Sequence, residues 1–348
     1  MHEHILVIRF SALGDVAMTV PVIWALARQY PELRITVLSR PSSQPFFEAL
    51  APNVSFMGAD IKHEYRGMGG LNKLYRRLKA KQFTAIADLH NVLRSEYLRL
   101  RFNMGSFRVA HIDKHREQRR QLTKAKDKSQ VAPLPTSFQN YIDVFERLGY
   151  PIAPENLCFK SIFEQTPELP APLTPKLPHQ RWIGIAPFAA HKGKIYPAEQ
   201  MFKVVEQLVA RQPDSRIFLF GRGEKEEQVF SEWTAKISQC VFAGSLTTGM
   251  RQELELMSHL DVMVSMDSAN MHMASLTATP VVSVWGATHP KAGFMGWGQS
   301  LDNAVQASDL DCRPCSIYGN KPCSRGDYAC LHSITPEMIA EKILRDIS

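Results

Sequence analysis

Short apolar runs alternate with longer amphipathic stretches along nearly the whole chain, the pattern of β-α-β units wound around a mainly parallel sheet. In the first half the runs HILVIRF, RITVLS, FTAIAD and FRVAHI predict strands at 4–10, 34–39, 83–88 and 107–112. Val20, Ile23, Trp24 and Ala27 recur at helical spacing, so a helix is expected over 17–30. A second is expected over 137–148, whereas 113–130 is almost entirely polar and reads as a loop or mobile basic segment.

Pro167, Pro170, Pro172, Pro175 and Pro178 then fall within twelve residues. Without amide hydrogens or freedom in φ, such a stretch neither continues a helix nor pairs as a central strand, and it is read as a linker over 167–180. The alternation restarts after it, with strands expected at 182–187, 216–220, 239–243, 261–266 and 280–285. Helices are expected at about 197–211, 224–237, 249–259 and 268–277. Thr335-Pro336-Glu337 opens a final helix, with Thr as N-cap and Pro at the first helical position. The organisation is therefore two α/β domains, 1–166 and 181–334, followed by a C-terminal helix over 335–348. No sequence repeat relates them.

Length agrees, since 348 residues are enough for about two domains with cores of their own. Hydrophobic residues at 45%, charged at 22% and aromatic at 9% exclude a disordered, collagen-like or coiled-coil chain. Mean hydropathy is -0.19. No run approaches the ~18 apolar residues of a membrane helix, and Met1-His2-Glu3-His4 lacks a basic signal region. A cytoplasmic location is expected. The charge is uneven: residues 1–175 hold 24 Lys+Arg against 16 Asp+Glu, and 61–130 alone holds 18 against 6. Such a block is a solvated face or a surface for nucleic acid, anionic lipid or a phosphorylated acceptor.

In open parallel sheets ligands bind beyond the carboxyl ends of the strands, so polar residues that follow strands come first. Arg9-Phe10-Ser11-Ala12-Leu13-Gly14-Asp15 is a tight turn with a carboxylate near a helix start, although Ser11 or Asp15 could simply cap the helix. It lacks the G-x-G-x-x-G of a dinucleotide site. Asp267-Ser268-Ala269-Asn270-Met271-His272 opens a helix whose free N–H groups suit phosphate. His191-Lys192-Gly193-Lys194 places ammonium groups in a loop, and Phe220-Gly221-Arg222-Gly223-Glu224 is a glycine turn. Cys312, Cys315, Cys323 and Cys330 open with a C-x2-C spacing compatible with a structural zinc, or are independent thiols; Cys158 and Cys240 read as core.

Taken in order, these segments resemble the ADP-heptose:lipopolysaccharide heptosyltransferases, inverting glycosyltransferases of the two-domain GT-B fold. IRFSALGDVAMTVPVIWAL is similar to the family's S-x-L-G-D turn and helix, and IADLHNVLRSEYLR to its D-L-Q-x-x-x-R-S segment. KIYPAEQMFKVVEQL resembles K-x-W-P-x-E-x-F, FGRGEKEE the glycine-glutamate turn, and VSMDSANMHMASLTATPVVSVWGATHP the D-T-G-x-x-H-x-A segment. The resemblance covers nearly the whole chain. It implies two Rossmann-like domains facing across a cleft, the first for acceptor and the second for nucleotide-sugar, with a C-terminal helix able to pack back on the first. It implies Asp15 as general base and Lys194 against the donor diphosphate. Asp267, Ser268, Ala269 and His272 would line the donor site, Glu224 would lie near the nucleoside, and Ser11 and Gly14 would shape the loop around the reacting carbon.

An anionic lipid-linked acceptor would be gathered by Arg94, Arg99, Arg101, Arg116, Arg119 and Arg120, with the enzyme held at the inner face of the cytoplasmic membrane. No D-x-D motif asks for a divalent ion, and no nucleic-acid partner is expected. The chain departs from the family pattern at Ala269 (Gly), Tyr196 (Trp) and His90 (Gln). Two rival readings are a nucleotide-sugar epimerase on the same scaffold, which needs no acceptor, and a basic nucleic-acid-binding protein with a zinc knuckle. Against the second, the basic block lacks interleaved aromatics and the cysteines lie far from it in sequence.

Overall fold

The computed structural model describes residues 3–347 apart from 106, 129 and 309. These divide into two compact units: the chain up to Lys114 with Pro135–Ile162, and His115–Leu134 with everything from Phe163 onward.

The first unit is built on a parallel sheet of order β3-β2-β1-β4-β5, from β1 (His4–Ile8), β2 (Arg34–Ser39), β3 (Val54–Gly58), β4 (Ala85–Asp88) and β5 (Arg108–His111). Every residue of β1 and β4 is buried. A parallel strand covered by helices on both faces has no solvent side, which is why these strands read as unbroken apolar runs. The helices in this half of the chain are α1 (Leu13–Ala17), α2 (Val20–Gln29), α3 (Gly67–Lys79), α4 (Leu93–Asn103), α5 (Arg116–Lys124) and α6 (Ser137–Arg147). Leu74 and Leu78 of α3 and Leu98 and Phe102 of α4 meet Leu6, Ile8 and Ile86 of the sheet in one core.

The helix expected over 17–30 is α2, which starts at Val20, the short α1 having already ended at Ala17. Pro21 cannot sit in a helix interior, since it removes a donor and crowds the carbonyl four residues back, so α2 restarts with Thr19 at its N-cap. Two helices and an edge strand were not expected. α3 begins in the glycine-rich GMGG, which masks the helical spacing of Leu71, Leu74, Tyr75 and Leu78, while α4 alternates leucine with arginine and β3 is only partly buried, so those two carry no plain period. Within the polar stretch 113–130, α5 forms around one fully buried side chain, Leu122, and belongs to the second unit. The segment is fastened there. The Lys128 ammonium donates to the Cys312 carbonyl at 2.7 Å, and the Leu134 amide donates to the Lys291 carbonyl at 2.8 Å.

The second unit has a parallel sheet of order β11-β10-β9-β6-β7-β8. Its strands are β6 (Trp182–Ala186), β7 (Arg216–Leu219), β8 (Cys240–Phe242), β9 (Val262–Met266), β10 (Val281–Trp285) and β11 (Ala304–Gln306). Its further helices are α7 (Ala198–Arg211), α8 (Glu224–Lys236), α9 (Met250–Met257), α10 (Ala269–Leu276), α11 (Ala329–His332) and α12 (Pro336–Ile347). The C-terminal helix, expected to be able to pack back on the first domain, instead buries Ile339, Ala340, Ile343 and Ile347 in the second unit's core, beside Met201, Val204, Val205 and Leu208 of α7. The proline-rich 167–180 also groups with the second unit. Lys176 sits 2.8 Å from Asp261 Oδ1, whose Oδ2 accepts from the Trp182 amide at 2.7 Å. The chain passes between units at Lys114–His115, at Leu134–Pro135 and finally at Ile162–Phe163, ahead of the prolines.

Candidate active site

Each sheet has a switch point where the chain stops adding strands on one side and begins on the other. In the first unit it lies between β1 and β4, paired with Ile8 opposite Asp88. In the second it lies between β6 and β9, with Ala186 opposite Ser265. Loops leaving adjacent strands there diverge to opposite faces and open a crevice at the strands' carboxyl ends, where ligands bind.

At the first switch point the turn after β1 carries Arg9 to Asp15. Asp15 sits in the first turn of α1, where negative charge is favoured. Its Oδ2 accepts from the Ala12 amide at 3.0 Å and its Oδ1 lies 2.7 Å from Arg9 NH2. The Arg9 stem is buried and its other terminal nitrogen donates to the Leu89 carbonyl after β4. Arg9 thus ties both loops of the crevice to one carboxylate. Tyr141 of α6 supports the same turn, its hydroxyl donating to the Asp15 carbonyl at 3.3 Å. Gly14 is buried within α1, and Ser11 stands at the lip of the turn.

The loop after β4 contributes His90. Its amide and that of Asn91 donate to the buried Asp88 Oδ1 at 2.9 and 2.8 Å, which fixes the loop. The His90 Nε2 is 3.3 Å from Ser11 Oγ, and Nδ1 is buried with no hydrogen-bond partner among the described residues. Burial, then the Arg9 and Lys114 charges, push its pKa down to about 3, so the ring is neutral. Neither Arg9 nor His90 was assigned a role from sequence. The available signal for Arg9 was a charge ending a wholly apolar strand, which has to find a partner when buried.

At the second switch point the loop after β6 delivers Lys194 and the loop after β9 delivers Asp267. Lys194 Nζ lies 2.8 Å from Asp267 Oδ2, with only 15% and 4% of the two side chains exposed. Gly319, at φ +72, packs against the Lys194 stem so closely that an added Cβ would lie 2.6 Å from Lys194 Cγ. Ser268 is the N-cap of α10, in extended conformation, and its hydroxyl lies 3.2 Å from Ser265 Oγ. Ala269 opens the helix and His272 is buried one turn on. Glu224 stands one strand over, exposed at the start of α8 behind Gly223, whose φ of +103 suits only glycine.

The arginines expected to gather an anionic acceptor divide. Arg94 is exposed on α4. Arg99 on the same helix turns inward, 3.8 Å from the buried Asp88 and 3.3 Å from Asn91 Oδ1. Arg101 lies over the Tyr75 ring at 4.7 Å. Arg116, Arg119 and Arg120 belong to α5 and so to the second unit, not to the first as expected. Arg116 and Arg120 are exposed, while Arg119 stacks on Phe294 and Tyr318 at 5.5 and 5.6 Å and donates to the Tyr318 hydroxyl. Cys330 is buried, with Cys312, Cys315 and Cys323 partly so. Among the described residues no group of three or more His, Cys, Asp or Glu side chains is arranged to hold a metal ion, so the structural zinc that the C-x2-C spacing allowed as one alternative has no ligand set there.

Residues 71–323 match the model of glycosyltransferase family 9 (heptosyltransferase). The lipopolysaccharide core heptosyltransferase OpsX of Haemophilus influenzae is 22% identical over 296 residues, 82% of this chain and 79% of that protein. A glycosyl transferase family 9 structure from Veillonella parvula has a TM-score of 0.73 at 18% identity, covering 99% of this chain and 97% of that one. The E. coli heptosyltransferase WaaC solved with ADP gives 0.67 at 15% identity, covering 99% of both chains. The structural likeness shows the GT-B fold, two parallel-sheet α/β domains. Through the family match, which spans most of the sequence, this chain belongs to glycosyltransferase family 9, the heptosyltransferases, and is a glycosyltransferase.

Proposed function

We propose that this enzyme transfers a heptose from ADP-heptose to an anionic, lipid-linked lipopolysaccharide core acceptor with inversion, using Asp15 as general base and Lys194 against the departing diphosphate. The observation that carries the reading is that a carboxylate and an ammonium, each fixed by an ion pair, stand at the switch points of the two sheets. OpsX is named for lipopolysaccharide core transfer and WaaC was solved with ADP, which supports this choice of donor and acceptor.

In the displacement the acceptor oxygen bonds to the anomeric carbon, the bond from that carbon to the ADP oxygen breaks, and its electron pair leaves on the phosphate. The acceptor proton passes to an Asp15 carboxylate oxygen. A carboxylate is a weak base, so it takes the proton late, when bonding to carbon has made the hydroxyl acidic. Arg9 holds that carboxylate in the crevice, and neutral His90 fixes Ser11 beside it. Negative charge growing on the leaving phosphate is met by Lys194 and by the N-terminus of α10 at Ser268 and Ala269. Asp267 orients Lys194, while His272 and Glu224 contribute to donor binding. Arg94, Arg116 and Arg120 meet the acceptor's anionic groups. The reaction takes place in the cytoplasm at the inner face of the membrane.

A thermal-shift panel of ADP-, GDP- and UDP-sugars tests the donor, since a ligand that binds only the folded state raises the melting temperature according to its affinity. Selective stabilisation by ADP-heptose is expected. Equal stabilisation by all three nucleotides, or none by ADP-heptose, contradicts the assignment.

A further inference from the structure

Helix α4 is apolar on two sides. Ser95, Leu98 and Phe102 are buried toward the core. The outward side carries Leu93, Leu100 and Met104, exposed by 85%, 55% and 86%. These positions are seven and eleven residues apart, and at 3.6 residues per turn they fall within about 20° of one line. Met104, the C-cap, keeps helical backbone angles, so the stripe runs the length of the helix. A surface helix needs only one apolar side, and a second, aligned and uncovered, marks an interaction surface.

The charges beside this stripe are mainly positive: Arg94 and Arg101 lie along one side of it, and on the other Glu96, the sole acidic residue of α4, lies 3.5 Å from Arg99. Helix α3 is fixed alongside: Tyr75 lies under Arg101 and donates from its hydroxyl to the Arg101 carbonyl at 3.3 Å. It carries no acidic residue, and it presents exposed Arg76, Arg77 and Lys79, with Lys73 paired to Glu64 at 3.1 Å, together with Met68, itself 63% exposed.

We propose that the outer face of α4, with the basic side of α3, docks on an anionic lipid bilayer. Leu93, Leu100 and Met104 enter the boundary between headgroups and acyl chains, while the lysines and arginines meet lipid phosphates. A second copy of the chain fits less well, because a two-fold contact would set this cationic surface against itself. The inference rests on the lipid-linked acceptor proposed above and assigns the surface that brings the enzyme to it.

The test uses the full chain and two sets of vesicles, phosphatidylcholine alone and phosphatidylcholine with phosphatidylglycerol. Co-sedimentation only with the anionic vesicles is expected, weakening as salt rises. The triple variant Leu93→Gln, Leu100→Gln, Met104→Gln is expected to partition at least ~10-fold more weakly. Its heptosyl transfer to a delipidated core oligosaccharide is expected to stay unchanged. Lys73→Gln with Arg76→Gln and Lys79→Gln is expected to remove most of the salt dependence. Wild-type protein that ignores anionic vesicles, or a triple variant that binds them normally, overturns the proposal. So does a variant whose only change is loss of a dimer in sedimentation velocity. Failure of the wild type to transfer heptose to the delipidated acceptor, with vesicle binding intact, counts against the proposed reaction and leaves the docking surface standing.

Discussion

The Arg9–Asp15 and Lys194–Asp267 pairs show how far single residues can be read from sequence. Asp15 and Lys194 were legible because each follows an apolar strand in a motif-bearing loop. Asp267 was also expected at the donor site, but its pairing with Lys194 shows only when parallel pairing sets their two loops side by side, and Arg9 gains meaning only when its own turn folds Asp15 back onto it. Lys194→Met leaves the Asp267 carboxylate buried without its counter-charge, and a loss of about 3 kcal/mol in unfolding free energy is expected. Adding Asp267→Asn should restore part of the stability in denaturant titrations and none of the ADP-heptose affinity. His90 carries a pH signature. With its pKa at about 3 against the usual 6.5, and that of His289 pushed down to about 4 by burial and Arg313, the unfolded chain binds protons that the folded chain refuses. Stability is therefore full above about pH 6.5 and lost as pH falls toward these values. Melting temperatures measured between about pH 7 and about pH 4.5 should fall, and His90→Gln with His289→Gln should flatten the decline. A flat wild-type profile would show that the two rings are not held neutral.

Among the elements, central strands were the easiest to find. β1, β4, β6, β9 and β10 are fully buried and so spell continuous apolar runs. The edge strands divide: β5 and β8 were expected, whereas β3 and β11 are only partly buried and spell no such run. Helix α12 announced itself through Thr335 and Pro336, but its destination depends on Ile339, Ile343 and Ile347 finding α7. Ile343→Ala, at a fully buried position, is expected to cost about 2–5 kcal/mol in denaturant unfolding. Gly319 is the loop counterpart. Alanine there combines a left-handed φ with a Cβ driven into the Lys194 stem, so Gly319→Ala should weaken ADP-heptose binding in calorimetry while leaving the fold intact by circular dichroism.

For the molecule as a whole, two α/β units on mainly parallel sheets were expected from alternating periodicity, while the strand order within each sheet and the path between units were not. The excursion 115–134 has the composition of a solvated loop, and a few anchors, Leu122, Arg119, Lys128 and Leu134, place it on the second unit. That moves six basic residues of the 61–130 block off the first unit, which still holds 18 Lys+Arg against 12 Asp+Glu. The first unit thus remains the cationic one, which is the sign that the proposed anionic acceptor and the proposed docking on anionic lipid call for. The central claim is that a carboxylate on this unit takes the acceptor's proton. Single-turnover transfer by Asp15→Asn, with donor bound to saturation, tests it most directly. The account expects native circular dichroism, ADP-heptose affinity close to wild type and a rate reduced by roughly 10²–10⁴-fold. Transfer at a rate close to wild type would contradict it.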